Sequence, residues 1–346
     1  MSWAPEFDAG SEQDGEVEVH RFPVPVGRDV ATFNALTSDL LGRPGPTSIE
    51  AEERWMSAQG PVSPALLTHL EEHGEAYDAI VFVPYLYATT AMGLPLVAAR
   101  SVLVPALHDE GPAYLGIMKR TFRLARAIGF LTPEERTFAR RLFGPLPGKQ
   151  ALLGIGISEQ EHATAARLVP DVPYVLYVGR IDPSKGSPEM FDYHRRLSRT
   201  DPDAPLLVVA GRAAMEVPEA PWLRYVGFVS EAEKPALIKG SVCAVLPSPY
   251  ESLSISTLEA WSHGRPVVVS AGSEVLVGQV RRANGGLWFS DAPEYAEAVT
   301  TLAHQRSLAN ELGANGRCYV RHRYRPDDVI ARLEGLLHEV TGYAAQ

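Results

Sequence analysis

Short, nearly continuous apolar runs alternate along the chain with stretches whose apolar residues recur every three or four positions. Apolar runs rich in β-branched residues are typical of strands buried on both faces of a parallel sheet, and a period near 3.6 predicts helices. Strands are predicted at residues 17–22, 79–83, 102–106, 127–131, 152–155, 174–178, 205–210, 223–227, 242–246 and 266–270, with a short one at 287–289. Helices are predicted at residues 133–142, 189–199, 231–238 and 254–263, with three more between 292 and 340. This alternation predicts an α/β fold with doubly wound parallel sheets.

The ten long strands fall into two groups of five, which predicts two Rossmann-like domains. A polar segment with two prolines, residues 158–173, separates the groups. We therefore expect a first domain at residues 1–160, a second at 161–325 and a C-terminal helical segment at 326–346. Two such sheets would face each other across a cleft, and their ligands bind beyond the carboxyl ends of the strands. Residues that directly follow a predicted strand are therefore the candidates for a site.

Composition narrows the class of protein. Of the 346 residues, 45% are hydrophobic and 21% are charged, as in soluble globular proteins. The net charge of −10 argues against nucleic acid as a partner and leaves room for a local cationic pocket. The chain has two cysteines, and its cysteines and histidines lack the spacing of a zinc site, so we expect neither a disulfide framework nor a metal site. With no signal peptide and no run of 18 apolar residues, we expect a cytoplasmic protein, for which contact with the inner face of the membrane stays open.

Two cations flank a turn that follows the strand predicted at 174–178. Arg180 and Lys185 lie five residues apart, between Gly179 and Gly186. At the carboxyl edge of a sheet, a guanidinium and an ammonium group can hold two phosphates, and the next helix N-terminus adds N–H donors. The alternative is a solvated turn with two surface cations, and these residues alone do not decide between the two.

Two glutamates follow the strand predicted at 242–246. Glu251 is expected in a loop that two prolines prolong, and Glu259 at least one turn inside the next helix, with the N–H groups of residues 252–254 between them. Carboxylates accept hydrogen bonds from the hydroxyls of a sugar or a ribose, and free amides bind phosphate. In the alternative, Glu251 complements the helix dipole and Glu259 closes a capping box with Ser256.

Two weaker candidates complete the set. His108 follows the strand predicted at 102–106, where an imidazole can orient a substrate hydroxyl, although histidines in such loops are often simply hydrogen-bonded. Asn284 begins an Asn-Gly-Gly turn whose backbone would allow close approach of a ligand. A plain turn explains the same three residues equally well.

The run from about residue 174 to 324 resembles the nucleotide-binding half of the retaining GT-B glycosyltransferases of family 4. The resemblance depends on Gly179-Arg180 with Lys185-Gly186, on the pair Glu251 and Glu259 spaced by seven residues, and on Gly272 with the turn at 284–287. It implies a metal-independent transfer of a sugar from a UDP- or GDP-linked donor, with no cofactor, to a glycan or lipid-linked acceptor. It also implies a terminal helix that crosses back to the first domain.

The resemblance also implies a role for each candidate residue. The implied catalytic residues are Glu251, which contacts the transferred sugar, and His108, which lies near it. The donor diphosphate would be held by Arg180, Lys185, Ser252, Leu253 and Ser254, the ribose by Glu259, and Gly179 and Asn284 would lie near the sugar or the nucleotide.

The first half departs from the family pattern. Members usually open with a strand, a glycine-rich loop and a helix, whereas this chain opens with an acidic polar stretch and reaches its first predicted strand at residue 17. We therefore expect an N-terminal domain without its first strand-loop-helix unit. That expectation raises an alternative function, an inactive nucleotide-sugar-binding protein or partner subunit. A nicotinamide-dependent oxidoreductase is disfavoured, because the glycine fingerprint for a dinucleotide is missing.

Overall fold

The computed structural model describes residues 3–4, 6–42, 45, 47–158, 169 and 171–342. The described residues form two compact units. One unit is drawn from Met1–Leu153 and Ala331–Gln346, and the other is Gly154–Ile330. The predicted boundary between residues 160 and 161 lies outside the described residues.

The second unit contains a six-stranded, fully parallel sheet with the strand order β12-β11-β10-β7-β8-β9. Its strands are β7 (Tyr174–Val178), β8 (Leu206–Ala210), β9 (Leu223–Gly227), β10 (Ala244–Leu246), β11 (Val267–Ser270) and β12 (Gly286–Phe289). Its helices are α7 (Ser187–Thr200), α8 (Lys234–Gly240), α9 (Ile255–Ser262), α10 (Glu274–Ala283), α11 (Ala292–His304) and α12 (Arg306–Arg323), followed by the start of α13 (Pro326–Thr341). All six strands were expected from the apolar runs, to within two residues at either end.

The core of this sheet explains why those apolar runs are strands. The central strand β7 is buried along most of its length. Its neighbours β8 and β10, and β11 on the far side of β10, consist almost wholly of buried aliphatic residues. Continuous burial on both faces is what β-branched, uninterrupted apolar sequence predicts for a parallel sheet. Because all six strands run in the same direction, the loops after β7 and β10 come out at the same edge of the sheet.

The first unit contains a smaller parallel sheet of four strands in sequential order, β3-β4-β5-β6. Its strands are β3 (Ile80–Phe82), β4 (Ser101–Leu103), β5 (Ala127–Phe130) and β6 (Lys149–Leu152). Its helices are α1 (Val30–Leu41), α2 (Ile49–Gln59), α3 (Pro64–His73), α4 (Ala88–Gly93), α5 (Gly116–Leu124) and α6 (Pro133–Phe143). From Ala331 onward α13 also belongs to this unit, where Leu336 packs with Val102, Ala127 and Leu153.

The strand predicted at residues 17–22 is not part of this parallel sheet. It exists as β2 (Val17–Arg21), which pairs with β1 (Gly10–Asp14) in a separate antiparallel hairpin. Both strands of the hairpin are largely exposed, so the alternation of valine with charged residues reflects a ribbon rather than a buried strand. The expectation of five strands in the first parallel sheet is therefore wrong among the described residues.

Within the described part of the chain, none of the helices combines the length and the apolar character that crossing a membrane requires.

Candidate functional site

The loop after β7 places the two predicted cations. Arg180 follows the strand by two residues, its side chain is 52% exposed, and its Nε lies 3.4 Å from Oδ2 of Asp182. The Arg180 carbonyl accepts a hydrogen bond of 2.7 Å from the hydroxyl of Tyr177, a group whose pKa burial raises to about 12. The Asp182 carboxylate in turn accepts from the N–H of Ser184, which closes the turn before Lys185. The loop is therefore fixed by its own hydrogen bonds, while the guanidinium group faces solvent.

Lys185 reaches from this loop to the loop after β10. Its Nζ donates to Oε1 of Glu251 at 2.8 Å, and both side chains are partly buried. Gly186 lets the loops approach, because its φ is +73° and a Cβ there would lie 2.4 Å from the carbonyl oxygen of Pro247. The structure thus brings Lys185 and Glu251 together, as the parallel sheet predicts for loops after neighbouring strands.

Helix α9 begins at the same edge. Ser256 in its first turn donates to the carbonyl of Val178, the last residue of β7, at 3.0 Å. Leu253 precedes the helix, and its N–H forms no hydrogen bond within the described residues, which leaves a donor for an anion. Ser254 is the N-cap and is buried, and its own N–H points to Oε1 of Gln279 at 3.4 Å. Of the backbone groups predicted to bind phosphate, that of Ser254 is therefore already engaged, and its hydroxyl caps the helix.

Glu259 lies on α9 and is not part of a capping box. Its Oε1 accepts a 2.5 Å hydrogen bond from Nζ of Lys234 on α8, which also contacts Glu231. Burial lowers the pKa of Lys234, but hydrogen bonds to Glu231 and Glu259 outweigh it, so the pKa is raised and the ammonium group stays charged. A pocket of about 200 Å³ adjoins this pair and is lined in part by Ile155, Ile157, Ile238 and Ile255. The arrangement offers a carboxylate beside an apolar recess.

Asn284 lies at the wrong edge of the sheet for its predicted role. It ends α10 in a left-handed conformation with φ of +46°, two residues before β12 begins. Because β12 is parallel to β11 and Gly286 pairs with Val267, the first residue of β11, Asn284 precedes the strands. Arg180 and Glu251 follow theirs, at the opposite edge. The Asn-Gly-Gly segment is a helix-ending turn, and Asn284 is corrected to a structural residue.

His108 belongs to the first unit, five residues after β4. Its Nε2 lies 3.4 Å from Oε2 of Glu110, and both side chains are partly buried. Gly179 directly follows β7, where its N–H donates to the Ala210 carbonyl at 3.0 Å. Both residues thus follow strands, as expected, although each in its own unit.

Sequence reasoning missed Lys234 and Gln279. Lys234 lies in a predicted helix and was not singled out, although the chain has only five lysines, and two of them contact the predicted glutamates. That scarcity was a usable signal. Gln279 is fully buried on α10 under the start of α9, and nothing in the sequence distinguishes it from a surface glutamine.

The fold is that of known α/β sugar-transfer enzymes with two Rossmann-like domains. Sucrose-phosphate synthase from Thermosynechococcus elongatus superposes with a TM-score of 0.71 at 19% identity, covering 98% of this chain and 87% of that one. Anabaena Alr3699/HepE, solved in complex with UDP and glucose, superposes with a TM-score of 0.66 at 14% identity over 82% of this chain and 83% of that one. The prediction of an α/β fold of the GT-B kind is confirmed.

A family model matches part of the sequence. Residues 158–318, which make up most of the second unit, match the family described as Glycosyl transferases group 1. The second unit is therefore similar to this family, which bears out the resemblance noted in the sequence. Glycogen synthase of Mycobacterium tuberculosis is 33% identical over 156 residues, which are 40% of this chain and 36% of that protein. The match thus spans about a third of the length of this curated relative.

Proposed function

We propose that the chain is a retaining glycosyltransferase that moves a sugar from a nucleotide diphosphate sugar to an acceptor hydroxyl. In this proposal Arg180 and Lys185 hold the diphosphate together with the Leu253 N–H. Glu251 contacts the transferred sugar, and Glu259 binds the ribose. His108, in the other unit, orients the sugar.

The observation that carries the proposal is the convergence of charges at one edge of the second sheet. Lys185 after β7 and Glu251 after β10 lie within 2.8 Å, and Glu259 on the following helix lies within 2.5 Å of a second ammonium group, that of Lys234. The loops after β7 and β10 and the helix α9 thus place cations, which can bind a diphosphate, next to carboxylates, which can bind hydroxyls. A sugar joined to a nucleoside through a diphosphate presents the same alternation of hydroxyl, phosphate and ribose.

The chemical step depends on stabilising the leaving group. The bond between the anomeric carbon and the β-phosphate oxygen breaks, and the acceptor oxygen bonds to the same face of that carbon. The acceptor proton passes to the departing phosphate, so no separate base is required. A cation at about 4 Å from the developing charge is worth roughly 4 kcal/mol at an effective dielectric constant near 20. Arg180 and Lys185 supply that charge in the proposal, which is why we propose that transfer is metal-independent.

The pocket beside Glu259 suits a nucleobase. Its isoleucines provide apolar surface for a flat ring, next to the carboxylate that would hold the ribose. UDP is the probe of choice, because the similar Anabaena protein was solved with UDP and glucose.

The alternative function is an inactive nucleotide-sugar binder or partner subunit, and turnover separates the two. Calorimetry with UDP tests binding, and incubation with UDP-glucose and a panel of glycan and lipid-linked acceptors tests transfer. We expect transfer with the α configuration retained by NMR, and unchanged rates in the presence of EDTA. Binding of UDP without hydrolysis or transfer from any offered donor would favour the binder. Absence of nucleotide binding would overturn both.

A further inference from the structure

The loop after β4 in the first unit is held in a strained conformation. Ala106 has a φ of +53°, in the left-handed region, which is unfavourable for a residue other than glycine. Leu107 is fully buried, and His108 follows directly. Such a backbone persists only where the surrounding contacts enforce it, and it is found most often at functional sites.

A buried carboxylate supplies one of these contacts. Glu135, in the first turn of α6, is 1% exposed. Its Oε1 accepts from the Leu107 N–H at 2.6 Å, and its Oε2 accepts from the Leu131 N–H at 2.5 Å. Burial raises the pKa of Glu135 to about 8, although the N–H groups of Leu131 and Leu107 oppose that rise. Because Leu107 follows β4 and Leu131 follows β5, one side chain ties together the loops after two neighbouring strands.

Glu110 lies next to the imidazole of His108. Its Oε1 accepts a 2.6 Å hydrogen bond from the hydroxyl of Tyr85, and its Oε2 lies 3.4 Å from Nε2 of His108. Tyr85 is 1% exposed, and its N–H donates to the carbonyl of Pro105 at 2.9 Å. The loop that carries His108 is therefore tied to the residues that follow β3 and β5.

We propose that Glu135 is a positioning residue, which sets the orientation of His108 by fixing the Leu107 N–H. This inference rests on the proposed function of His108 near the transferred sugar. A glutamate at this place in a helix commonly binds the N–H of the cap residue. Glu135 reaches in addition the residue before His108, which a helix cap does not require.

Glu52 provides a matched control in the same unit. It is 3% exposed and accepts from the N–H groups of Gly116 and Ile117 at 3.0 and 2.7 Å, at the start of α5. Glu52→Gln and Glu135→Gln therefore make the same replacement, an amide for a buried carboxyl group that accepts from two backbone N–H groups. Of these two glutamates, only Glu135 has a described contact with the backbone next to His108.

The first readout does not need activity. In full-length protein with ¹⁵N-labelled histidine, the His108 imidazole signals are assigned by their loss in His108→Asn. We expect Glu135→Gln to shift these signals and Glu52→Gln to leave them in place. Should Glu135→Gln fail to fold, Glu135→Asp takes its place, because it keeps the carboxyl group and shortens the reach by one methylene group.

The second readout is kinetic. We expect Glu135→Gln to lower kcat about 10- to 100-fold, with KM for the donor unchanged, as for a catalytic group displaced by about 1 Å. In a His108→Ala background the same substitution should cost less than about twofold, because a residue that acts through His108 has nothing left to position.

Unshifted His108 signals in the Glu135 variant, or equal shifts in the Glu52 variant, would overturn the inference. A full kinetic effect of Glu135→Gln in the His108→Ala background would do the same. If the wild-type chain transfers no sugar, the proposed function fails by itself, and the NMR comparison still decides whether Glu135 positions His108.

Discussion

Lys185 and Glu251 are 66 residues apart in the chain, and a hydrogen bond of 2.8 Å joins Nζ of one to Oε1 of the other. The two side chains are predicted to serve different parts of one ligand, the diphosphate and the sugar. Without ligand they neutralise each other. A bound diphosphate would therefore compete with Glu251 for the ammonium group, and its binding would release the carboxylate for a sugar hydroxyl.

The first prediction tests this competition. Glu251→Gln removes the charge that Lys185 now faces, so we expect UDP to bind about two- to fivefold more tightly, since a partly exposed ion pair is worth up to about 1 kcal/mol. Sugar transfer should fall by about 10²-fold or more, because the contact to the sugar is lost. Calorimetry with UDP and an initial-rate assay with a UDP-sugar measure the two effects separately.

Two further variants serve as a second test and as a control for Glu251→Gln. Lys185→Met should weaken UDP binding by about tenfold or more, because a charge-assisted contact is lost. Asp203→Asn removes the same charge as Glu251→Gln, but before β8 at the opposite edge of the sheet, and should leave UDP affinity unchanged. Weaker UDP binding in Glu251→Gln would show that the carboxylate supports the loop rather than competing with the phosphate.

The second prediction concerns the ribose. If Glu259 accepts hydrogen bonds from the ribose hydroxyls, UDP should bind at least about tenfold more tightly than its 2′,3′-dideoxy analogue, as for hydrogen bonds to a charged group. In Glu259→Gln that preference should shrink to about threefold or less. Glu231 contacts the same Lys234 but is 72% exposed, so Glu231→Gln should preserve the preference. If both variants lose the preference for UDP equally, the preference depends on the charges around Lys234 and not on contact between Glu259 and the ribose.

The sequence predicted the sheet of the second unit well because its strands are buried on both faces, and continuous apolar runs have few other solutions. The edge on which Arg180, Lys185, Glu251 and Glu259 lie follows directly from the parallel order. Asn284 was misassigned because its role was taken from the family resemblance. The strand predicted at 287–289 already placed the Asn-Gly-Gly turn before a strand, at the edge opposite to Arg180 and Glu251.

Other features depend on contacts that no local pattern encodes. Strand β2 has the alternating pattern of a half-buried strand, but its hairpin with β1 lies outside the parallel sheet. Lys234 and Gln279 act through tertiary partners 25 residues away in the chain, and a short amphipathic helix gives no sign of them. The glutamate pair and Lys185 were found in the sequence, whereas Lys234 and the pairing of each lysine with a glutamate required the fold.

The third prediction concerns the close approach of two loops. Gly186→Ala would place a Cβ 2.4 Å from the Pro247 carbonyl oxygen at a φ of +73°, so the loops after β7 and β10 must separate. We expect UDP affinity to fall by at least about tenfold and thermal stability to decrease. Gly264 has a similar φ of +69° but open space around its Cβ position. Gly264→Ala should therefore cost only the backbone strain, about 1–2 kcal/mol, and leave UDP binding intact. Similar UDP affinities in the two variants would contradict the packing argument.

The fourth prediction concerns acid stability of the second unit. His194 is fully buried, and its Nε2 donates to the Pro205 carbonyl at 3.0 Å while its Nδ1 accepts from the Tyr295 hydroxyl at 2.9 Å. Burial lowers its pKa from 6.5 to about 4, so the folded protein binds fewer protons than the unfolded chain between these values. The stability that this group contributes is complete above pH 6.5 and is lost as the pH falls through about 4.

Between pH 7 and pH 5 that loss amounts to about 2 kcal/mol. Guanidinium unfolding followed by tryptophan fluorescence measures it, since Trp222 packs against the His194 ring. His194→Gln should be less stable at pH 7 but should lose about 2 kcal/mol less than the wild type on acidification. The exposed His322 serves as the control, because His322→Gln should lose as much stability between pH 7 and pH 5 as the wild type does. If the stability of His194→Gln depends on pH as that of the wild type does, the imidazole is not held neutral in the core.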